Sequence, residues 1–336
     1  MSILTRGPRA FLLWVILSLV LYSLAPFYFP LLSYYDMVPT GDVRTFAPSL
    51  LEGLAYGLAV AALYLFYLLA YRTSRSVTLN LAAILGITVV LALPLLFTYP
   101  INANDVFRYY VRGRITAVHG ASPLVVAPDQ FPEDPFVPLA GEWAGETSPY
   151  GPVWEMVAGA VAALSGENLL AALLSFKVLA LAAHLGSAAL IWWQQPEASL
   201  KVERTVLWAL NPALLLMFAV DAHNDSLLLF WLLLGTALFK RRPVTGMLVA
   251  LLGPLTKIIG LLPLPFLFIG AWRQQYARGA RLRLLWGTGL GSILLVLLAF
   301  LPFGSPLPLA QRLAGEASES AGYSPGVALW LALERI

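Results

Sequence analysis

The chain has 336 residues, of which 59% are hydrophobic and only 12% charged, with a net charge of +3 and a mean hydropathy of +0.77. Soluble domains carry about 25% charged residues, so half of the solvating charge of a water-soluble enzyme is missing, and a disordered tail is excluded with it. The small, dispersed net charge makes no case for a nucleic-acid partner, and without cysteine there is no disulfide framework, thiolate nucleophile or cysteine-based zinc site.

Hydrocarbon about 30 Å thick takes roughly 20 helical residues to cross. Apolar runs approaching that length recur at 10–24, 54–70, 79–97 and 284–301. They predict an all-α fold, a polytopic transmembrane helical bundle forming one membrane domain over 1–336. Arg6 and Arg9 ahead of the first run suit a signal peptide, but the run continues toward Pro30 without a small-residue cleavage motif. It therefore reads as a retained span.

Sorting the 21 Lys and Arg by inter-helix segment separates two faces. Thirteen fall on one, including Arg9, Arg72, Arg75, Lys201, Arg204, Lys240 to Arg242 and Arg273 to Arg283. Arg44, Arg108, Arg112, Arg114 and Arg312 fall on the other, and Lys177, Lys257 and Arg335 lie within apolar stretches. Retained basic residues mark the cytoplasmic side, which predicts a cytoplasmic N-terminus. The run at 153–164 is too short to cross, at roughly 18 Å of helix, and reads as a surface or re-entrant helix with Glu155 on its polar side. Spans then follow at 169–193, 205–220 and 226–239. A hairpin of two short arms comes next, 244–255 and 258–271, turning at Thr256-Lys257 near the outer leaflet. The last span is 284–301, and 326–336 begins a helix too short to span, as expected of a chain truncated there or ending in a half-helix.

The longest non-spanning segment, about 99–167, is predicted to be an extracytoplasmic loop with short surface helices. Its first candidate is Asn104-Asp105 with Arg108, Tyr109 and Arg112, which share one face if the segment is helical. A carboxylate flanked by guanidiniums can take a proton from a hydroxyl that is attacking a good electrophile; the bland role is an interfacial helix end with Asp–Arg pairs and a tyrosine belt. Asp221-Ala222-His223-Asn224-Asp225 is costly between apolar helices unless paired or functional, although Asp225 also suits a helix cap. Lys257 at the hairpin turn is placed to meet an anionic headgroup, whereas Lys177 either lines a path or snorkels to the surface. The turn Ser148-Pro149-Tyr150-Gly151-Pro152 is either a pocket wall or a simple helix start. His119 and His184 have no partner at metal-ligand spacing and read as structural. A cage of His223, Asp221 and Asp225 could hold a divalent metal, but no metal and no other cofactor is predicted. Neither a P-loop, nor a dinucleotide fingerprint, nor a nucleophile elbow is present.

With these motifs in order, the sequence resembles the GT-C superfamily of integral membrane glycosyltransferases, and most of all its polyprenol-phosphate-mannose-dependent mannosyltransferases. The resemblance rests on Asn104-Asp105-Val106-Phe107-Arg108-Tyr109, Gly113, Gly120, Ser122-Pro123, Pro149-Tyr150-Gly151-Pro152, Asn211-Pro212, Ala222-His223-Asn224-Asp225, Thr256-Lys257 and Tyr323-Ser324-Pro325. It implies transfer of a mannose-like hexose from a polyprenyl phosphate donor to a glycan or glycolipid acceptor, with inversion, at the outer face of the cell membrane. By position Asp105 would be the general base, and Arg108, Arg112 and Lys257 would bind the donor phosphate. Asn104, Tyr109, Tyr150, His223, Asn224 and Asp225 would line the sugar and acceptor pocket. The physical logic agrees: a polyprenyl phosphate carries its own activation, so one carboxylate and a few cations suffice without a nucleotide site. Rival readings are a transporter or flippase for a lipid-linked or anionic solute, with Lys177, Lys257 and His223 along its path, and a non-catalytic assembly subunit.

Overall fold

The computed structural model describes residues 7–319. Arg6, the Tyr323-Ser324-Pro325 motif, Arg335 and the helix expected at 326–336 lie outside the described residues. The architecture is all-α and polytopic. No β-strand occurs among the described residues, apart from an isolated bridge between Pro30 and Thr98.

In chain order the principal helices are α1 (Pro8–Tyr28), α2 (Leu50–Ser74), α3 (Leu81–Leu96), α4 (Asp105–Ala117), α5 (Pro152–Ser165) and α6 (Leu169–Gln194). They are followed by α7 (Ala198–Ala209), α8 (Asp225–Leu238), α9 (Pro243–Thr256), α10 (Leu264–Arg273), α11 (Arg278–Phe300) and α12 (Leu307–Glu319). Helices α1, α2, α6 and α11 are long and apolar enough to cross a bilayer. Their starts follow local chemistry. Ser49 and Glu52 form a reciprocal capping box on α2, and Asn80 and Asn168 cap α3 and α6 through their side-chain oxygens, each satisfying backbone donors that a helix leaves free at its N-terminus.

Three departures from the sequence reading have physical causes. The span expected at 205–220 is a bent pair, Leu200–Ala209 and Pro212–Val220, angled by 46°. Proline lacks the N–H that would continue the helix, and the Asn211 side chain caps the new segment on Ala213 N–H. The run at 226–239 forms only the 14-residue α8, about 21 Å long, and lies along α9 rather than crossing alone. Helix α5 is short as expected, but Glu155 is not on a polar surface: it is 1% exposed because α4 packs across that face.

That packing is backbone-close. A Cβ on Gly113 of α4 would lie 2.2 Å from the Ala158 carbonyl oxygen on α5. Helix α4 is consequently a buried strut rather than a surface helix, with Val106, Phe107, Tyr110 and Ile115 all within the core. The hairpin is present as α9 and α10 joined through a 3-10 turn, Ile258–Leu261. The turn before α5 is fastened to it where Gly151 N–H donates to the Thr256 carbonyl at 3.0 Å.

The basic segments that charge sorting groups together do gather at one end of the bundle. There Gly7 N–H donates to Ser76 Oγ at 3.0 Å, and Arg75 pairs with Glu203 across 2.5 Å. At the other end, Tyr99 N–H donates to the Phe29 carbonyl at 2.7 Å and Tyr56 Oη to Asn102 Oδ1 at 2.7 Å. This end carries the candidate residues.

Gly113→Ala is expected to destabilise the fold by at least the 1–3 kcal/mol typical of overpacking, read as a lower Tm in detergent. Gly57→Ala, whose added Cβ meets nothing within 4 Å, should be neutral or slightly stabilising.

Candidate active site

Two buried groups bring the distant motifs together. Asp221, fully buried, accepts the Ile101 and Asn102 backbone N–H groups on Oδ1 at 3.1 and 3.2 Å. Its Oδ2 accepts Asn102 Nδ2 at 2.9 Å. Burial raises its pKa, while the hydrogen bonds from Asn102 and the charges of His223 and Lys177 oppose the rise. Lys177, also fully buried, donates to the carbonyls of Leu95, Thr98 and Ala219 at 3.4, 2.7 and 3.3 Å. It neither snorkels nor lines a path; it gathers the carbonyls left over at the ends of α3 and the bent pair.

These clamps fix where α4 starts and where the 221–225 link turns. Ala222 adopts a left-handed φ of 55°, an uncommon conformation for a residue with a Cβ. It reverses the chain between the clamping Asp221 and the next residue, His223. His223 Nδ1 then stands 3.8 Å from Asp105 Oδ2 and 3.6 Å from Asp225 Oδ2, beyond hydrogen-bond range. Lys257 Nζ pairs with Asp225 Oδ2 at 2.8 Å, and Arg108 with Asp105 Oδ1 at 2.9 Å. Arg108 also donates to Asn104 Oδ1 at 2.5 Å, and Asn104 Nδ2 donates to Thr40 Oγ1 at 2.9 Å. The result is a charge row of two ion pairs, Arg108–Asp105 and Asp225–Lys257, on either side of the His223 imidazole.

Arg108 and Lys257 are also walls of an adjoining cavity of about 760 Å³, with Arg112, Tyr150, Trp143, Glu146 and Arg312 among its other lining residues. The three cations expected to hold a phosphate therefore face one space. Trp143 stacks under Arg108 with its ring centroid 5.2 Å from the guanidinium carbon. Arg312, from α12, lines the same cavity and forms an ion pair with Glu146.

Not every expected residue lines the cavity: Asp105 and Asn104 stand behind Arg108, and Asp225 behind Lys257 with His223 beside it, none of the four among the walls. Tyr109 is 1% exposed and packs edge-on against Tyr150, Trp154 and Phe176. Burial holds its hydroxyl neutral with a pKa well above the ordinary phenol value, the nearby Tyr150 and Asp105 adding to the rise. Asn224 is fully buried, its side-chain amide without a hydrogen-bond partner among the described residues. These two support the site from beneath instead of lining it. His119 and His184 are structural, as read from the sequence: His119 Nε2 lies 2.8 Å from Asp134, itself held by Arg114, and His184 Nε2 lies 3.1 Å from the Ala209 carbonyl. Among the described residues, no group of three or more His, Cys, Asp or Glu is arranged to hold a metal ion.

The family described as alpha-(1->6)-mannopyranosyltransferase, N-terminal domain, matches residues 32–273, a segment that contains the whole charge row. The chain belongs to this family. Similar proteins include alpha-(1->6)-mannopyranosyltransferase B of Corynebacterium glutamicum, 26% identical over 212 residues, covering 56% of this chain and 34% of that protein. Alpha-(1->6)-mannopyranosyltransferase A of Mycobacterium tuberculosis is 28% identical over 194 residues, covering 56% and 36%. The chain thus spans about a third of the length of these curated relatives. No solved structure matches it. The family fits the sequence resemblance to membrane mannosyltransferases.

Sequence reading missed Arg312, Trp143 and Glu146, which follow no motif and meet the cavity only through tertiary packing. It also misjudged Asp221, whose five-residue neighbourhood signalled chemistry while the carboxylate itself is a clamp.

Asp221→Ala would leave the buried Ile101 N–H unpaired, at a cost of about 1–3 kcal/mol, and would release the partly buried bonds from Asn102 as well, so it should lower the Tm. Asp221→Asn keeps the Oδ1 acceptor and should retain more stability; equal Tm values for the two would remove the clamp.

Proposed function

We propose that the protein is a membrane mannosyltransferase that moves mannose from a polyprenyl phosphate donor to a glycan or glycolipid acceptor, inverting the anomeric centre. The observation that supports this best is a carboxylate, Asp105, ion-paired to Arg108, a cation that lines one cavity together with Arg112 and Lys257.

The acceptor hydroxyl oxygen attacks the anomeric carbon while the carbon–oxygen bond to the donor phosphate breaks, its electron pair leaving with the phosphate. Asp105 takes the hydroxyl proton. Arg108 occupies Oδ1, so Oδ2, on the His223 side, is the oxygen that receives it. Arg108, Arg112 and Lys257 stabilise the negative charge that develops on the departing phosphate, where preorganised cations act most strongly. A single displacement of this kind inverts the centre and needs one base, unlike a double displacement with two flanking carboxylates. Asp225, held by Lys257, and His223 flank Asp105 on the side assigned to the sugar. As proposed, the donor phosphate supplies the activation and the reaction draws on no bound cofactor. The site faces away from the cytoplasm, since the basic segments gather at the opposite end of the bundle and such segments are retained on the cytoplasmic side.

Incubating the purified protein with radiolabelled polyprenyl phosphate mannose and a glycolipid acceptor pool should transfer label. Asp105→Asn should abolish transfer with membrane insertion intact; full activity would remove Asp105 from the mechanism.

Lys257→Ala and Arg112→Ala should each raise KM for the donor at least tenfold while leaving acceptor KM within about twofold, as expected for loss of a charge-assisted contact of about 1.5–3 kcal/mol. Equal effects on both substrates would place the phosphate elsewhere.

A further inference from the structure

One buried carboxylate beside the cationic cavity has no part in the proposed reaction. Glu155 sits in the first turn of α5, 1% exposed. Its Oε1 accepts the Ser148 hydroxyl at 2.5 Å, and Ser148 Oγ in turn accepts Tyr150 N–H at 3.2 Å. Its Oε2 is buried without a hydrogen-bond partner among the described residues. Ser148 to Tyr150 is the turn that supplies Pro149 and Tyr150 to the cavity wall. Across from it stands Arg112, only 3% exposed yet part of the cavity lining. One Arg112 terminal nitrogen donates to the Thr147 carbonyl at 3.5 Å, and its Nε is buried without a partner among the described residues.

The two charges act on each other: Glu155 favours the Arg112 cation, and Arg112 favours the Glu155 anion. Arg108 and Arg312 oppose the Arg112 charge, and the Tyr150 hydroxyl faces it from the same turn. Helix α9, packed on α5, has no titratable side chain between Pro243 and Thr256. On α6, Lys177 is committed to three carbonyls and His184 to the Ala209 carbonyl. The basic residues of α11, Arg278, Arg281 and Arg283, lie in its first turns, away from the end that packs near Leu124 and Leu255.

We infer that Glu155 is a positioning residue for the anion in this cavity: it holds the Ser148–Tyr150 wall and balances Arg112, setting how much of that cation's charge a bound phosphate meets. The inference rests on the proposed reading of the cavity as a phosphate site. Burial pushes the Glu155 carboxyl up to about 7, outweighing the Ser148 hydrogen bond and the Arg112 charge that pull it down. Below that pH the carboxyl is neutral and the Arg112 charge is offered whole to the ligand. Above it, the carboxylate offsets Arg112 from behind, so anion affinity falls as pH rises. By reciprocity, a bound anion raises the proton affinity of Glu155.

The test is isothermal titration of farnesyl phosphomannose into the nanodisc-embedded protein from about pH 5.5 to 8.5. This probe is a phosphodiester and keeps one negative charge throughout, so the profile reports the protein. Wild-type affinity should fall about tenfold across the range, the equivalent of one pKa unit of coupling. Glu155→Gln, of the same shape, should bind at the low-pH level at every pH. Ser148→Ala loses a hydrogen bond that favours the ionised form, and should move the inflection to higher pH. His223 adjoins the cavity through Asp225 and Lys257, so the comparison of Glu155→Gln with wild type decides the matter. A flat wild-type profile, or an inflection that survives in Glu155→Gln, overturns the inference and leaves the phosphate site standing. Binding that is absent at every pH, or indifferent to Arg112→Ala, overturns both.

Discussion

Everything at the cavity end of the bundle depends on one carboxylate that serves as a clamp. Asp221 accepts two backbone N–H groups and one side-chain amide from residues 101 and 102. In doing so it ties the entry to α4 to the link that bears His223. Those residues are about 120 positions apart in sequence, and neither segment is a regular helix where they meet. Polar backbone in a membrane bundle must find partners within the protein. Asp221 and Lys177 meet that demand from opposite sides, one collecting donors and the other collecting carbonyls.

The charge row follows from this constraint. With α4 and the link held, Asp105 and Asp225 are brought to either side of one imidazole. Two carboxylates so close would repel, but each has its own cation, Arg108 and Lys257. Each cation also opens onto the cavity. An arriving anion would therefore bind cations that are already oriented by carboxylates, which reduces the reorganisation needed on binding.

Much of this was legible in the residues. Apolar run lengths gave the long spans α1, α2, α6 and α11, although the run at 79–97 forms only the 16-residue α3. The Thr256-Lys257 turn between two short apolar arms gave the hairpin, and sorting basic residues grouped the segments that meet at one end. The convergence of Asp105, His223, Asp225 and Lys257 was also foreseeable, since ionisable groups so dear in a membrane share a polar end. What stayed hidden was orientation within a face. Glu155 on a short amphipathic helix looks solvated until α4 is known to cover it, and Tyr109 looks like a pocket residue until Trp154 and Phe176 close over its ring. The bend at Asn211-Pro212 was written in the proline, but the apolar residues on both sides of it read as one span. Arg312 on α12 carries no local pattern at all; only the path of the chain delivers it to the cavity.

The glycine contacts carry a consequence for how such a cavity diversifies. Gly113 meets the main chain of α5, and Gly151 meets the main chain at Leu255 beside the hairpin turn. Strut, wall and hairpin are thus locked backbone to backbone, with no side chain between them to trade for a larger or smaller one. The outline of the chamber is set by main-chain geometry, and its ligand preference by whatever projects from that frame, such as Trp143, Ile259 or Gln311. New substrates would be reached by exchanging these projections one at a time, on a scaffold whose joints leave no slack.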